Sequence, residues 1–179
     1  KTWPEASDIL RKRYQRSLKR VDQVSGDDVF EALMNGYARA YDPHSSYFSP
    51  RSSEEYRIQM SLNYDGIGAS LQLIDDIVTI MNVIEGGPAA VAGTLQANDR
   101  ITGVGQGREG PVTDVIGWRL DDVVQLIRGK AGTQVRLQVL PSGAAPGSPE
   151  KTLEFTRNKV TLEAQAAKKE LRTIERGER

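Results

Sequence analysis

Gly66-Ile67-Gly68-Ala69 opens directly into an apolar, strand-like run. Paired glycines let the chain bend so that consecutive backbone N–H groups face one concavity, which can hold a carboxylate. The same bend also serves as a β-bulge or tight turn with no ligand, and taken alone that is its commoner use. It is not a dinucleotide fingerprint, which needs a third glycine where this chain has Leu71 and a helix where it reads as strand. Gly103-Val104-Gly105-Gln106-Gly107 fails for the same reason, and no Walker lysine pattern is present. Asp42-Pro43-His44-Ser45-Ser46 sets the residue types of nucleophilic catalysis side by side. A catalytic triad is a chain of hydrogen bonds in space, which sequence neighbours rarely supply, whereas Asp-Pro followed by polar residues is ordinary chemistry for leaving a helix.

Two helical stretches carry the other candidate surfaces. Arg11, Lys12, Arg13, Arg16, Lys19 and Arg20 concentrate positive charge opposite Leu10, Tyr14 and Leu18. Such a face can serve nucleic acid or an anionic membrane, but a solvated face or an acidic docking partner is the simpler reading, and no RNA-binding aromatic motif accompanies it. Downstream, Leu120, Val124 and Ile127 recur at i, i+4 and i+7, with Val123 and Leu126 as a neighbouring apolar stripe. Both stripes can be core, or one can be core and the other a groove wall; the pattern leaves both open. In the second case a groove between this helix and the strand at 70–74 accepts an extended peptide as an added strand, its terminal carboxylate resting in the glycine loop.

Composition narrows the chemistry. In 179 residues Lys+Arg and Asp+Glu are 24 each, so a uniformly basic nucleic-acid binder or an acidic tail is not the whole chain. Zero cysteines exclude disulfides, a thiolate nucleophile and cysteine-ligated zinc, and one histidine excludes a multi-histidine metal site. No metal or cofactor is therefore expected. No apolar run reaches the roughly 18 residues of a membrane span. Lys1-Thr2-Trp3-Pro4-Glu5 lacks the apolar core of a signal peptide, so the chain reads as part of a longer or processed protein.

Glycine use divides the chain. Only Gly26 and Gly36 precede Tyr64, while the stretch from Gly66 to Pro149 holds fourteen glycines, a change from helical to turn-rich structure. Residues 1–62 read as an all-helical N-terminal element. Ser25 is a candidate N-cap with Asp28 three residues on; Phe30, Leu33, Met34, Tyr37 and Tyr41 share one helix face, and Asp42-Pro43 stops that helix. A third helix is expected over 54–60. Residues 63–158 read as strands at 70–74, 77–83, 100–104, 134–140 and 151–156, with a tight turn at Asp75-Asp76. Pro88 starts a short helix that Gly93 ends, and a second runs from 120 to 128. The predicted fold is α+β: a small partly open β-barrel with two helices behind an all-helical element. Residues 159–179 form a polar tail whose propensity favours helix over 162–175.

These motifs together resemble a known family. Gly66-Ile67-Gly68-Ala69, then Gly86-Gly87-Pro88-Ala89-Ala90 with Asp99-Arg100-Ile101, then residues 120–129 ending in Leu126-Ile127-Arg128-Gly129, resemble a bacterial PDZ domain. Asp42-Pro43-His44-Ser45-Ser46-Tyr47-Phe48-Ser49-Pro50 is similar to the element before that PDZ in carboxyl-terminal processing proteases, and residues 114–120 look closest to the tail-specific branch. The likeness runs from about residue 30 to 158. One departure is Asn98, where the family has glycine; asparagine also tolerates the left-handed turn.

The resemblance implies a periplasmic serine protease of the Ser–Lys dyad type that acts on proteins with nonpolar C-termini. The dyad lies in a core beyond the PDZ, and Lys168 and Lys169 have no family serine motif around them. No catalytic residue is therefore assigned, this stretch alone is expected to be silent, and enzyme status stays open. Carried over, Gly66, Ile67, Gly68 and Ala69 form the carboxylate-binding loop, Leu71 pairs along the peptide, and Leu120, Val124 and Ile127 line the side-chain pocket. The implied partners are C-terminal segments of substrate proteins, and a lipoprotein adaptor on the helical element, with no nucleic acid. Peptide binding is expected to realign the protease core. The alternative is a non-enzymatic PDZ adaptor recruiting a fixed partner.

Overall fold

The computed structural model describes residues 3–144 and 147–162, with Ala167 and Lys169. The chain divides into two compact units, 1–57 and 58–179, each described by itself. The helix expected over 162–175 lies outside the described residues except for Leu162, Ala167 and Lys169.

The first unit is helical, as its glycine-poor, periodic sequence requires. It holds α1 (Trp3–Asp22), α2 (Gly26–Tyr41) and most of α3 (Pro50–Ser61). Ser25 closes a capping box at the start of α2: its Oγ accepts from the Asp28 amide at 3.2 Å, and its own amide donates to the Asp28 carboxylate at 2.8 Å. Two donors that helix geometry leaves orphaned are thereby satisfied. Asp42 ends α2 in an extended conformation, as Pro43 demands. The exit loop is fastened back onto α2 by Asn35, whose side chain donates to the Tyr47 carbonyl and accepts from the Tyr47 amide, both at 3.0 Å. Phe30 meets Tyr47 edge to face at 5.8 Å. Farther along the apolar face of α2, Met34 is half-buried while Leu33, Tyr37 and Tyr41 are exposed among the described residues.

The second unit is built on an open sheet. Its strands are β1 (Asn63–Gly66), β2 (Ala69–Ile74), β3 (Ile77–Val83), β4 (Arg100–Gln106), β5 (Val112–Asp114), β6 (Gln134–Leu140), β7 (Lys151–Thr156) and β8 (Asn158–Thr161). The main sheet runs β2-β3-β4-β6-β7, with β5 beside β4, and all its pairings are antiparallel. It does not close, so β2 and β7 are edges. The β2–β3 hairpin turns at Asp75 and Asp76, both left-handed (φ 49° and 64°), matching the twist a two-residue hairpin needs. Asn98 takes φ 68°, supplying the turn that glycine would otherwise make.

Alternation in β6 buries Val135, Leu137 and Val139 and leaves Gln134, Arg136 and Gln138 half-buried, the period of a strand with one core face. Against this face pack Val78 and Ile80 of β3, Ile101 and Val104 of β4, and Val123 and Ile127 of α5 (Leu120–Ile127). Each fully buried aliphatic side chain is worth about 1.5–3 kcal/mol, which is what holds α5 to the sheet. The short helix α4 (Pro88–Ala92) has proline at its start and ends at Gly93 in the left-handed conformation.

Three strands escape the sequence reading: β1, β5 and β8. β1 and β8 form a separate ribbon from Asn63 opposite Thr161 to Gly66 opposite Asn158, so pairing continues past the boundary expected at residue 158.

Candidate functional site

The glycine loop is shaped by a close approach of two backbones. Gly68 adopts φ +79°, a left-handed conformation that side chains disfavour. A Cβ on Gly68 would lie 3.0 Å from the Gly87 Cα, and one on Gly87 would lie 3.1 Å from the Gly68 Cα. The loop at 66–69 thus rests directly on the Gly86-Gly87-Pro88 segment. Hydrogen bonds fix the contact: the Ala89 amide donates to the Ile67 carbonyl at 2.8 Å, and the Ile84 amide to the Gly68 carbonyl at 2.9 Å. The Ile67 side chain anchors in the core. The carbonyls of Ile67 and Gly68 are occupied, yet among the described residues neither amide donates a hydrogen bond.

Beside this loop lies a pocket of about 210 Å³. Ile67, Gly68 and Ala69 form one end; Ser70 and Leu71 of β2 and Val124 of α5 form the sides; Ile127, Arg128 and Tyr64 complete it. Among the described residues β2 pairs only with β3, so its other ladder edge is open on the side of α5. A register shift between Ser70 and Leu71 bends β2 at this point.

The sequence-derived residues fall into two groups. Ile67, Gly68, Ala69, Leu71, Val124 and Ile127 meet at the pocket. Gly66 does not line it; it is the last residue of β1, opposite Asn158. Leu120 does not line it either and is half-buried against the core. The helix is rotated so that Val123 and Ile127 point most deeply inward and Val124 is the partly exposed wall. Ile127 therefore serves both core and pocket.

Three lining residues are not among the sequence-derived ones: Ser70, in the strand read from sequence, and Arg128 and Tyr64. Arg128 follows the last turn of α5, and its guanidinium stands 5.1 Å from the ring centre of Tyr64. Its Nη1 is fully buried with no hydrogen-bond partner among the described residues. A buried unpaired donor is costly unless something accepts from it. Burial pushes the Tyr64 hydroxyl above its ordinary pKa, and the Arg128 charge opposes that shift. The available signal for Arg128 was a cation directly after a helix end, which is common for purely local reasons. Tyr64 sat in a strand too short to read.

The Asp42, His44 and Ser45 cluster has a different geometry from a triad. Ser45 Oγ donates to one Asp42 oxygen at 2.7 Å, while His44 meets the other at 3.1 Å. Both partners converge on the carboxylate, and no bond joins serine to histidine. His44 is almost wholly exposed. These contacts cap the end of α2 and hold the Asp42 carboxyl below its ordinary pKa, the Ser45 hydroxyl contributing most. No described helix is long and apolar enough to cross a membrane.

Comparison with known proteins agrees with this architecture. The family described as tail specific protease N-terminal domain matches residues 1–51, and the PDZ domain family matches residues 55–140. A tail-specific protease of Haemophilus influenzae is 41% identical over 168 residues, covering 94% of this chain and 24% of that protein. The carboxy-terminal processing protease CtpA of Bacillus subtilis is 30% identical over 138 residues, covering 76% of this chain and 28% of that protein. The chain thus spans about a quarter of the length of these curated relatives. Among solved structures, the PDZ domain of a carboxy-terminal protease from Vibrio cholerae, in complex with peptide, superposes with TM-score 0.53 at 48% identity. It covers 56% of this chain and 100% of that one. The photosystem II D1 C-terminal processing protease matches with TM-score 0.53 at 29% identity over 77% of this chain and 34% of that one. With a tail-specific protease N-terminal segment leading into a PDZ fold, the chain belongs to the carboxyl-terminal processing protease family and carries its PDZ region.

Proposed function

We propose that the PDZ region binds the free C-terminal end of other polypeptides, taking the last residues as an added strand on the open edge of β2. The observation that carries this reading is the juxtaposition in one pocket of two amides, at Ile67 and Gly68, that donate to no described residue, with the cationic side chain of Arg128. A terminal carboxylate is the group that accepts from such amides, and the Arg128 charge beside them favours an anion there. Val124, Ile127 and Leu71 give the last side chain an apolar seat, so nonpolar ends are favoured. The relative from Vibrio cholerae, solved with a peptide, supports the same use of the fold.

Within the whole protein, peptide capture serves proteolysis by a Ser–Lys core elsewhere in the polypeptide, and occupancy of the groove gates that core. Membership of the tail-specific family favours a periplasmic setting, with proteins presenting nonpolar C-termini as substrates.

The test is a fluorescence titration of the 179-residue chain with a labelled peptide ending in Ala-Ala, free or amidated. The free acid is expected to bind and the amide to lose binding, because amidation removes the charge that the loop and Arg128 receive. Equal affinity for the two peptides overturns the carboxylate reading.

A further inference from the structure

Arg157 lies between β7 and β8, is only 3% exposed, and carries a full positive charge into the interior. Burial holds its pKa below the ordinary arginine value. Its hydrogen-bond partners among the described residues are all neutral. Nε donates to the Ile127 carbonyl at 2.8 Å and Nη2 to the Leu126 carbonyl at 2.9 Å and the Gln106 Oε1 at 2.6 Å. Nη1 donates to Thr133 Oγ1 at 3.0 Å and the Gln134 carbonyl at 3.1 Å. Two of these acceptors are the final carbonyls of α5, which have no partner inside the helix and sit at its negative end. The guanidinium caps a helix that is far away in sequence. Gly129 makes the room, since a Cβ there would lie 3.0 Å from Arg157 Nε. Gln106 closes the ring by donating to the same Leu126 carbonyl at 2.8 Å.

This places one wall of the groove, α5, and its closed end, the glycine loop, on one junction. α5 is tied at its C-terminal end to Arg157. The glycine loop is continuous with β1, whose last residue pairs with Asn158, the residue after Arg157. A buried charge with five geometrically fixed acceptors is stiff, because any shift of α5 strands a charged donor in the interior.

We infer that Arg157 is a positioning residue: it fixes the Ile127–Arg128 end of α5 against the glycine loop, and it links occupancy of the groove to the β1–β8 ribbon. The inference rests on the peptide-binding reading above. A peptide seated between β2 and α5 presses on a wall that is bonded to the β7–β8 junction, so its binding is felt at residues 158–161.

The experiment combines peptide titration with hydrogen exchange on the 179-residue chain, using the free-acid peptide ending in Ala-Ala. In the wild type, saturating peptide is expected to slow exchange at 158–161. Arg157→Lys retains the charge but loses the fork that reaches several acceptors at once. It is expected to weaken binding about tenfold, the worth of one charge-assisted hydrogen bond, and to abolish peptide-induced protection at 158–161 even at saturation. Val139→Ala, in the core at the opposite end of β6 from Thr133 and Gln134, controls for loss of stability. It is expected to keep the protection and most of the affinity. Should Arg157→Lys not fold, Gln106→Met carries the test, because it removes one acceptor of the guanidinium from an exposed residue and is expected to shift both readouts in the same direction. A wild-type chain that binds no free-ended peptide overturns the peptide reading and the inference with it. Wild-type binding combined with unchanged affinity and unchanged protection in the variant, or equal losses in Val139→Ala, overturns the Arg157 inference alone.

Discussion

Three alanine substitutions separate the two reasons for glycine where the 66–69 loop meets the 86–88 segment. Gly86 has φ +77° and open space around its missing side chain, so Gly86→Ala incurs only the left-handed penalty, about 1–2 kcal/mol. Gly87 has an ordinary φ of −77°, but a Cβ there meets the Gly68 Cα and the Ile84 carbonyl oxygen, each at 3.1 Å. Gly87→Ala therefore incurs overpacking alone, about 1–3 kcal/mol, since backbone atoms cannot swing aside as a side chain would. Gly68 combines both conditions, with φ +79° and a Cβ position 3.0 Å from the Gly87 Cα. Gly68→Ala is expected to lose about 2–5 kcal/mol and to lower peptide affinity, because relieving the overlap moves the Ile67 and Gly68 amides. Equilibrium urea unfolding followed by far-UV circular dichroism gives the three stabilities, read at constant m, and the peptide titration gives the affinities. The reasoning is refuted if Gly68→Ala is no less stable than Gly86→Ala and binds as well as the wild type.

Four further outcomes follow from the geometry. Arg128→Met is expected to weaken binding of the free-acid peptide about tenfold to a hundredfold, by loss of a charge-assisted hydrogen bond, while leaving any weak binding of the amidated peptide unchanged. Val124→Asp is expected to reduce affinity with little change in urea midpoint because Val124 is a half-buried pocket wall; Leu120→Ala is expected to do the reverse, costing about 1–2 kcal/mol of stability. Ser25→Ala removes the cap of α2 and is expected to cost about 1 kcal/mol, seen as faster hydrogen exchange in its first turn. The hydroxyls of Ser49 and Ser52 hold the Glu31 carboxyl below its ordinary pKa. The folded value is lowered, so the associated stabilisation is full above the ordinary glutamate pKa and is lost as pH falls through the lowered one. Ser52→Ala is expected to move the Glu31 titration midpoint, followed by NMR, back up towards the ordinary value.

What could be read from the chain by itself was chemistry settled within a few residues. The capping box of Ser25 and Asp28, the hairpin at Asp75-Asp76, the left-handed Asn98, the proline start and glycine end of α4, and the strand over 134–140 all appear where the sequence puts them. Each depends on local dihedral preference or on the period of one element, and these need no distant partner. The apolar helix read over 120–128 was equally plain, and it forms over Leu120–Ile127, but its rotation was not. Periodicity shows two apolar stripes, and only the shape of the sheet beneath decides that Val123 and Ile127 turn inward, Val124 faces the pocket and Leu120 packs aside.

The remaining features were decided by residues far apart in sequence. β1 and β8 are too short to announce themselves, and each is a strand because the other is there to pair with it. Gly68 and Gly87 show their need for glycine only when their backbones meet. Arg128 and Arg157 look like ordinary surface cations in the sequence. Tertiary packing sets one half-buried beside a ring with its Nη1 covered and unbonded among the described residues, and buries the other beneath the end of a helix with every donor used, because burial and hydrogen-bond supply are properties of the assembled interior and not of the residue.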